Sequence, residues 1–152
     1  MSQENESLNN EIGLLGSALM DAERVMPLAM TQGCRAEWFR DPRCTTMWCA
    51  LKKLWDESGV KGIDALTLMD AAKRIAAEES DDDNKKGEID CAFVQKMIDD
   101  TPTAGHAEFY LQIVKNQYVA RKARREAQKF SMELESGPAQ AIQQMSGQLM
   151  EL

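Results

Sequence analysis

His106 and the four cysteines, Cys34, Cys44, Cys49 and Cys91, are the residues of this 152-residue chain that could supply a base, a nucleophile or metal ligands. Their spacing argues against all three roles. No serine or cysteine stands in a local pattern with His106, so a surface or capping role suits it better than general-base work. Cys44, Cys49 and one distant histidine do not make a zinc set, and no CxxC pair occurs. No G-x-x-x-x-G-K-[ST] is present, and Ser136-Gly137-Pro138 reads as a turn, not as a phosphate cradle. The stretch 78–90 lacks the regular alternation of oxygen ligands and the final glutamate of a calcium loop, and the carboxylate runs Asp81-Asp82-Asp83 and Asp99-Asp100 have no partner framework. The expectation is a chain that is not itself an enzyme and holds no cofactor or metal.

Charge is the remaining chemistry. The chain is net −7, yet positions 115–129 hold six basic residues and a single acid, Glu126. Arg121, Arg124, Arg125 and Lys129 are candidates for touching phosphate or an acidic protein surface. No aromatic residues interleave with them to stack bases, so most read as the wet face of a helix. DNA contact is therefore expected to be weak or indirect.

These cations sit on a segment built for another purpose. Pro102 and Gly105 punctuate its start, and no glycine or proline follows until Gly137-Pro138. Phe109, Ile113, Asn116, Ala120, Ala123, Ala127, Phe130 and Leu134 recur at alternating steps of four and three. That is the seven-residue repeat of a helix-helix seam. At a rise of ~1.5 Å per residue the helix extends roughly 45 Å, longer than a domain of this size is wide. Ile142, Met145, Leu149 and Leu152 continue the spacing on a last helix, and so short a turn predicts an antiparallel hairpin. The three alanines would let backbones approach closely.

Ahead of the hairpin the pattern is also helical. Ile12, Leu15, Ala18 and Leu19 mark a first apolar face, with Gly16 placed for close helix contact, because an idle glycine would cost roughly 1 kcal/mol. Asp21 opens a short helix that Pro27 should kink or end. Trp38-Phe39 falls in a turn, and Asp41-Pro42 is a strong start signal for a helix carrying Cys44, Met47, Trp48, Leu51, Leu54 and Trp55 on one side. Two tryptophans on one face read as core. After Ile63-Asp64 a further helix should turn Leu66, Met69, Ala72 and Ile75 inward, and Phe93, Val94, Met97 and Ile98 define another. Between these two, positions 78–90 read as a solvated acidic loop. The fold class expected is all-α, with a flexible N-terminus over 1–10, a globular helical subdomain over 11–100 and a self-associating hairpin over 101–152.

The order of these landmarks resembles the amino-terminal domain of the bacterial and phage replicative DNA helicases of the DnaB type. The resemblance rests on Leu14-Leu15-Gly16 with Leu19-Met20-Asp21, and on Trp38-Phe39-Arg40 before a helix with Trp48 and Leu54. It rests further on Ile63-Asp64 with Thr67-Leu68, and on Thr101-Pro102-Thr103-Ala104 followed by Tyr110, Ile113-Val114 and Arg121, similar to the family's TPS…Y…IV…R block. It spans residues 11 to 152. Two departures stand out: the acidic stretch 78–90 replaces a short glycine-containing turn, and His106 stands where the family often has asparagine.

The resemblance implies a collar module that pairs through its hairpin, as a dimer or as three dimers in a ring, and that docks a primase and a helicase loader. It implies that ATP and magnesium belong to a separate carboxyl-terminal domain that these residues do not include. On this reading Phe109, Ile113, Ala120, Ala123, Ala127, Phe130, Leu134, Ile142, Met145 and Leu149 form contacts within and between hairpins. Two alternatives remain: a free-standing DNA-binding regulator using the basic helix, and a decoy that joins or inhibits a host helicase. Reduced, unpaired cysteines and the lack of a membrane-length apolar run point to the cytoplasm.

Overall fold

The structure, a computed structural model, describes residues 3–59, 63–79 and 89–150. Its helices are α1 (Gln3–Met20), α2 (Ala22–Thr31), α3 (Pro42–Ser58), α4 (Ala65–Glu79), α5 (Cys91–Asp99), α6 (Ala107–Ser136) and α7 (Pro138–Met150), with 3-10 turns at Ala36–Trp38 and Ala104–His106. No strand occurs among the described residues. The chain divides into two compact units, Met1–Lys115 and Asn116–Leu152, so the opening turns of α6 belong to the first. Most of the expected acidic loop, residues 80–88, lies outside the described residues, as does Leu152.

The first unit is built on α1. The polar lead, expected to be flexible, is helical from Gln3 onward. Two side-chain bonds across one turn support it: Asn10 donates to the Glu6 carbonyl at 3.0 Å, and the Ser7 hydroxyl donates to the Glu11 carboxylate at 3.2 Å. Beyond it Ile12, Leu14, Leu15 and Ala18 are buried. The helix α2 runs through Pro27 instead of ending there. One missing amide bond does not outweigh the burial of Val25, Met26 and Ala29 on its inner face. Asp21 precedes α2 as expected but makes no side-chain cap, pairing with Arg24 at 3.2 Å instead.

Asp41 does cap α3, accepting from the Arg43 amide at 2.9 Å with Pro42 at the first helical position. Gly59 closes that helix at φ 62, a left-handed conformation that glycine takes without steric cost. Cys44, Met47, Trp48, Leu51 and Leu54 are buried as the pattern required, Trp55, expected in the core, is only half-buried near the end of the helix, and Phe39 stacks on Trp48 with ring centroids 5.9 Å apart. On α4 Ala72 is buried as expected and Met69 and Ile75 are half-buried, but Leu68 takes the inward place given to Leu66: Leu68 is fully buried while Leu66 is 74% exposed. Leu66 stands in the first turn after the Asp64 cap, and α4 packs against α3. Asp90 caps α5 at Phe93, and Phe93, Val94 and Met97 enter the core while Ile98 stays at its margin.

The second unit is the remainder of α6 with α7. A bond from the Gly137 amide to the Glu133 carbonyl, 2.9 Å, ends α6, and Pro138 opens α7. With its amide turned so that the nitrogen faces Glu133, Gln144 donates to Glu133 Oε2 at 2.8 Å, so α7 returns along α6 as an antiparallel hairpin.

Candidate assembly and docking site

The start of α6 is set by two close approaches to α1. The side chain of Thr101 rests on Gly16, where an added Cβ would fall well inside van der Waals contact distance of Thr101 Oγ1 and 2.8 Å from the Met97 carbonyl oxygen. The ring of Tyr110 rests on Gly13, where a Cβ would meet its Cζ at 2.7 Å. The guanidinium of Arg24 donates to the Ala104 carbonyl, and Lys115 lies over the Trp38 ring at 5.9 Å. Gly16 thus has the helix-contact role its position predicted. The part of Gly13 was not read from the sequence, although a glycine three residues earlier in an apolar helix carried the same signal.

These contacts choose which stripe of α6 enters the first unit. Ala107, Leu111 and Val114 are buried there, at steps of four and three; Tyr118, in the second unit, is buried as well. The neighbouring stripe is left outside: Phe109 is 61% exposed and Ile113 half-exposed. Within the second unit Ala120, Ala123, Phe130, Leu134 and Met145 are half-exposed, and Ala127 is exposed. Ile142 and Met132 are exposed at 58% and 74%. Leu149 lies on α7, but its side chain is outside the described part of the molecule. Met132 was absent from the sequence-derived set because it lies off the four-three stripe. Its exposure beside a shallow groove of about 510 Å³, lined by Arg125, Gln128, Lys129 and Glu133 among others, adds it to the candidate surface.

The basic candidates fall on the same helix. Arg124, Arg125 and Lys129 are exposed, and Arg121 is half-exposed. Glu126 between them is half-buried, and its Oε2 is shut off from solvent without a hydrogen bond.

The first unit holds its ionisable groups in structural tasks. Glu11 is 1% exposed and accepts from the amides of Arg40 at 2.8 Å and Asp41 at 3.2 Å, tying α1 to the entrance of α3. Burial alone would raise the Asp41 carboxyl, but hydrogen bonds and charge from Arg43 outweigh it and hold the group below the ordinary carboxylate range. The same Arg43 lies over the Phe93 ring at 4.6 Å. Burial pushes the Cys34 thiol up to about 12 and raises Cys44 as well, with the charges of Glu11 and Asp41 adding to the latter. Both thiols stay protonated and unreactive at neutral pH. His106 is exposed in the 3-10 turn before α6. Among the described residues no group of three or more His, Cys, Asp or Glu could hold a metal ion, and no helix is long and apolar enough to cross a membrane.

This architecture has relatives. The crystal structure of the N-terminal domain of DnaB helicase from Mycobacterium tuberculosis matches with a TM-score of 0.76 and 18% sequence identity. The match covers 94% of this chain and 96% of that one, and it is a likeness of fold. Among curated proteins none matches. The family model of the DnaB-like helicase N terminal domain matches residues 3–116, ending where the first compact unit ends. With three-quarters of its length matched, the chain belongs to the DnaB-like helicase N-terminal domain family.

Proposed function

We propose that this chain is the assembly and docking module of a hexameric replicative helicase, associating with copies of itself through the α6–α7 hairpin and offering its remaining surface to a primase and a loader. The observation that carries the reading is the division of α6 into two stripes. One, through Ala107, Leu111 and Val114, is spent on the first unit; along the other, Phe109 and Ala127 are exposed and Ala120, Ala123 and Phe130 are part-exposed, on a 30-residue helix. Apolar side chains left in water over that length favour a covering partner. Alanines at three positions of the stripe suit a second helix at close range. In this reading the ATP- and magnesium-dependent chemistry belongs to a carboxyl-terminal domain, and the module works in the cytoplasm.

Sedimentation of the purified chain tests the proposal. A dimer or larger species is expected at micromolar concentration, and Phe130→Asp should shift it toward monomer. A wild-type chain that stays monomeric at high micromolar concentration would overturn it.

The exposed Arg124, Arg125 and Lys129 support a second reading, in which the chain binds DNA on its own. Such binding would weaken steeply with added salt as counterions are released. Labelled duplex titrated at two ionic strengths decides it, since no binding at low salt ends that alternative.

A further inference from the structure

We infer that Glu126 is a registering contact of the self-association surface, taking a guanidinium or ammonium group from the basic run of a second copy. The inference rests on the self-association proposed above. Glu126 is the single acid within the cluster of Arg121, Lys122, Arg124, Arg125 and Lys129. Its Oε2 is closed to solvent and accepts no hydrogen bond, while the residue as a whole is only half-buried, so a turn of the side chain brings the carboxylate out to a donor. A surface glutamate would ordinarily pair with a cation three or four residues away on its own helix. Lys122 and Lys129 stand at those positions, yet among the described residues no ion pair joins either to Glu126. A carboxylate oxygen cut off from water with no partner is unfavourable until a donor arrives.

The donors are on the same helix of another molecule, with Lys129 sharing the Glu126 face and Arg125 next to it, because residues three or four apart on a helix are neighbours and residues two apart are not. Arg124, Arg125 and Lys129 are exposed and have no ion pair among the described residues. One helix carrying both halves of a complementary pair suits a two-fold contact, in which residue i meets j and j meets i. Ala123 and Ala127 flank Glu126 and leave room for the approaching helix. A nucleic acid phosphate fits the site poorly, because the carboxylate would repel it; a second copy brings the cation. A single polar residue in such a seam fixes register and partner number at some cost in affinity.

The test is sedimentation velocity over a concentration series with the full chain, E126Q, E126R and the double variant R125E/K129E. E126Q should weaken self-association by about tenfold or more, while the melting temperature of the dilute monomer stays the same or rises. Mixing E126R with R125E/K129E should restore mixed dimers that neither forms alone. A wild-type dimer that E126Q leaves equally tight, or a mixture no tighter than its components, overturns the inference and leaves the assembly reading standing. A wild type that never associates removes both.

Discussion

Thr101 sits directly on Gly16, its hydroxyl and Cβ filling the space where any other residue of α1 would carry a side chain. The contact joins the first helix to the turn between α5 and α6, and thereby sets where the long helix begins. Thr101 is 1% exposed and its Oγ1 has no hydrogen-bond partner, so it acts there by shape. Gly16→Ala should lower stability by about 1–3 kcal/mol through overpacking against backbone that cannot yield. Gly147→Ala on α7, where nothing lies within 4 Å of the added Cβ, should gain up to about 1 kcal/mol from helix propensity. Thermal melts of the two variants should move in opposite directions.

The two stripes of α6 make a second contrast. Leu111 is fully buried and Phe109 is 61% exposed, two positions away on the same helix. Leu111→Ala should cost about 2–5 kcal/mol of folding stability. Phe109→Ala should change monomer stability by less than about 0.5 kcal/mol and instead weaken self-association. Chemical denaturation at low concentration reads the first effect, and sedimentation the second.

Acid should attack the entrance of α3. The Asp41 carboxyl titrates below its ordinary value in the folded protein, because Arg43 donates to it from both side chain and backbone. A depressed folded pKa contributes stability that is present above the unfolded value of about 3.9, and that is lost as pH falls through the folded value. Asp41→Ala should therefore cost about 0.5–2 kcal/mol at neutral pH as a lost cap. Its difference from wild type should shrink in denaturation curves taken at successively lower pH in the acid range.

Thiol reactivity should sort the cysteines by depth. Cys91 is exposed, whereas Cys34 and Cys44 are buried and Cys34 is pushed up to about 12. A chromogenic disulfide reagent at neutral pH should modify Cys91 promptly and the two buried thiols only on unfolding. Fast reaction of Cys44 in the folded protein would contradict the packing of α3 on α1.

Glu11 should matter more than its place in a polar segment suggests. Glu11→Ala leaves the Arg40 and Asp41 amides without their shared acceptor and should cost about 1–3 kcal/mol. Melting temperatures of Glu11→Ala and Glu6→Ala compare this buried acid with an exposed one five residues earlier.

Much of this was legible in the amino-acid order. Helix type follows from apolar period and breakers, which are local, so Asp41-Pro42, Gly59 and Gly137-Pro138 marked real boundaries. The tryptophan face of α3 and the role of Gly16 were visible for the same reason. The family likeness came from the order of such landmarks.

Other features needed the third dimension. Whether Pro27 ends a helix depends on what its neighbours bury, and that burial carried α2 through it. Two apolar stripes run along α6, and both have the right period. The seating of Tyr110 on Gly13 and Thr101 on Gly16 selects 107, 111 and 114 for the core of the first unit and leaves Phe109 exposed. Periodicity names the faces a helix could bury, but which one is covered is decided by neighbours distant in sequence.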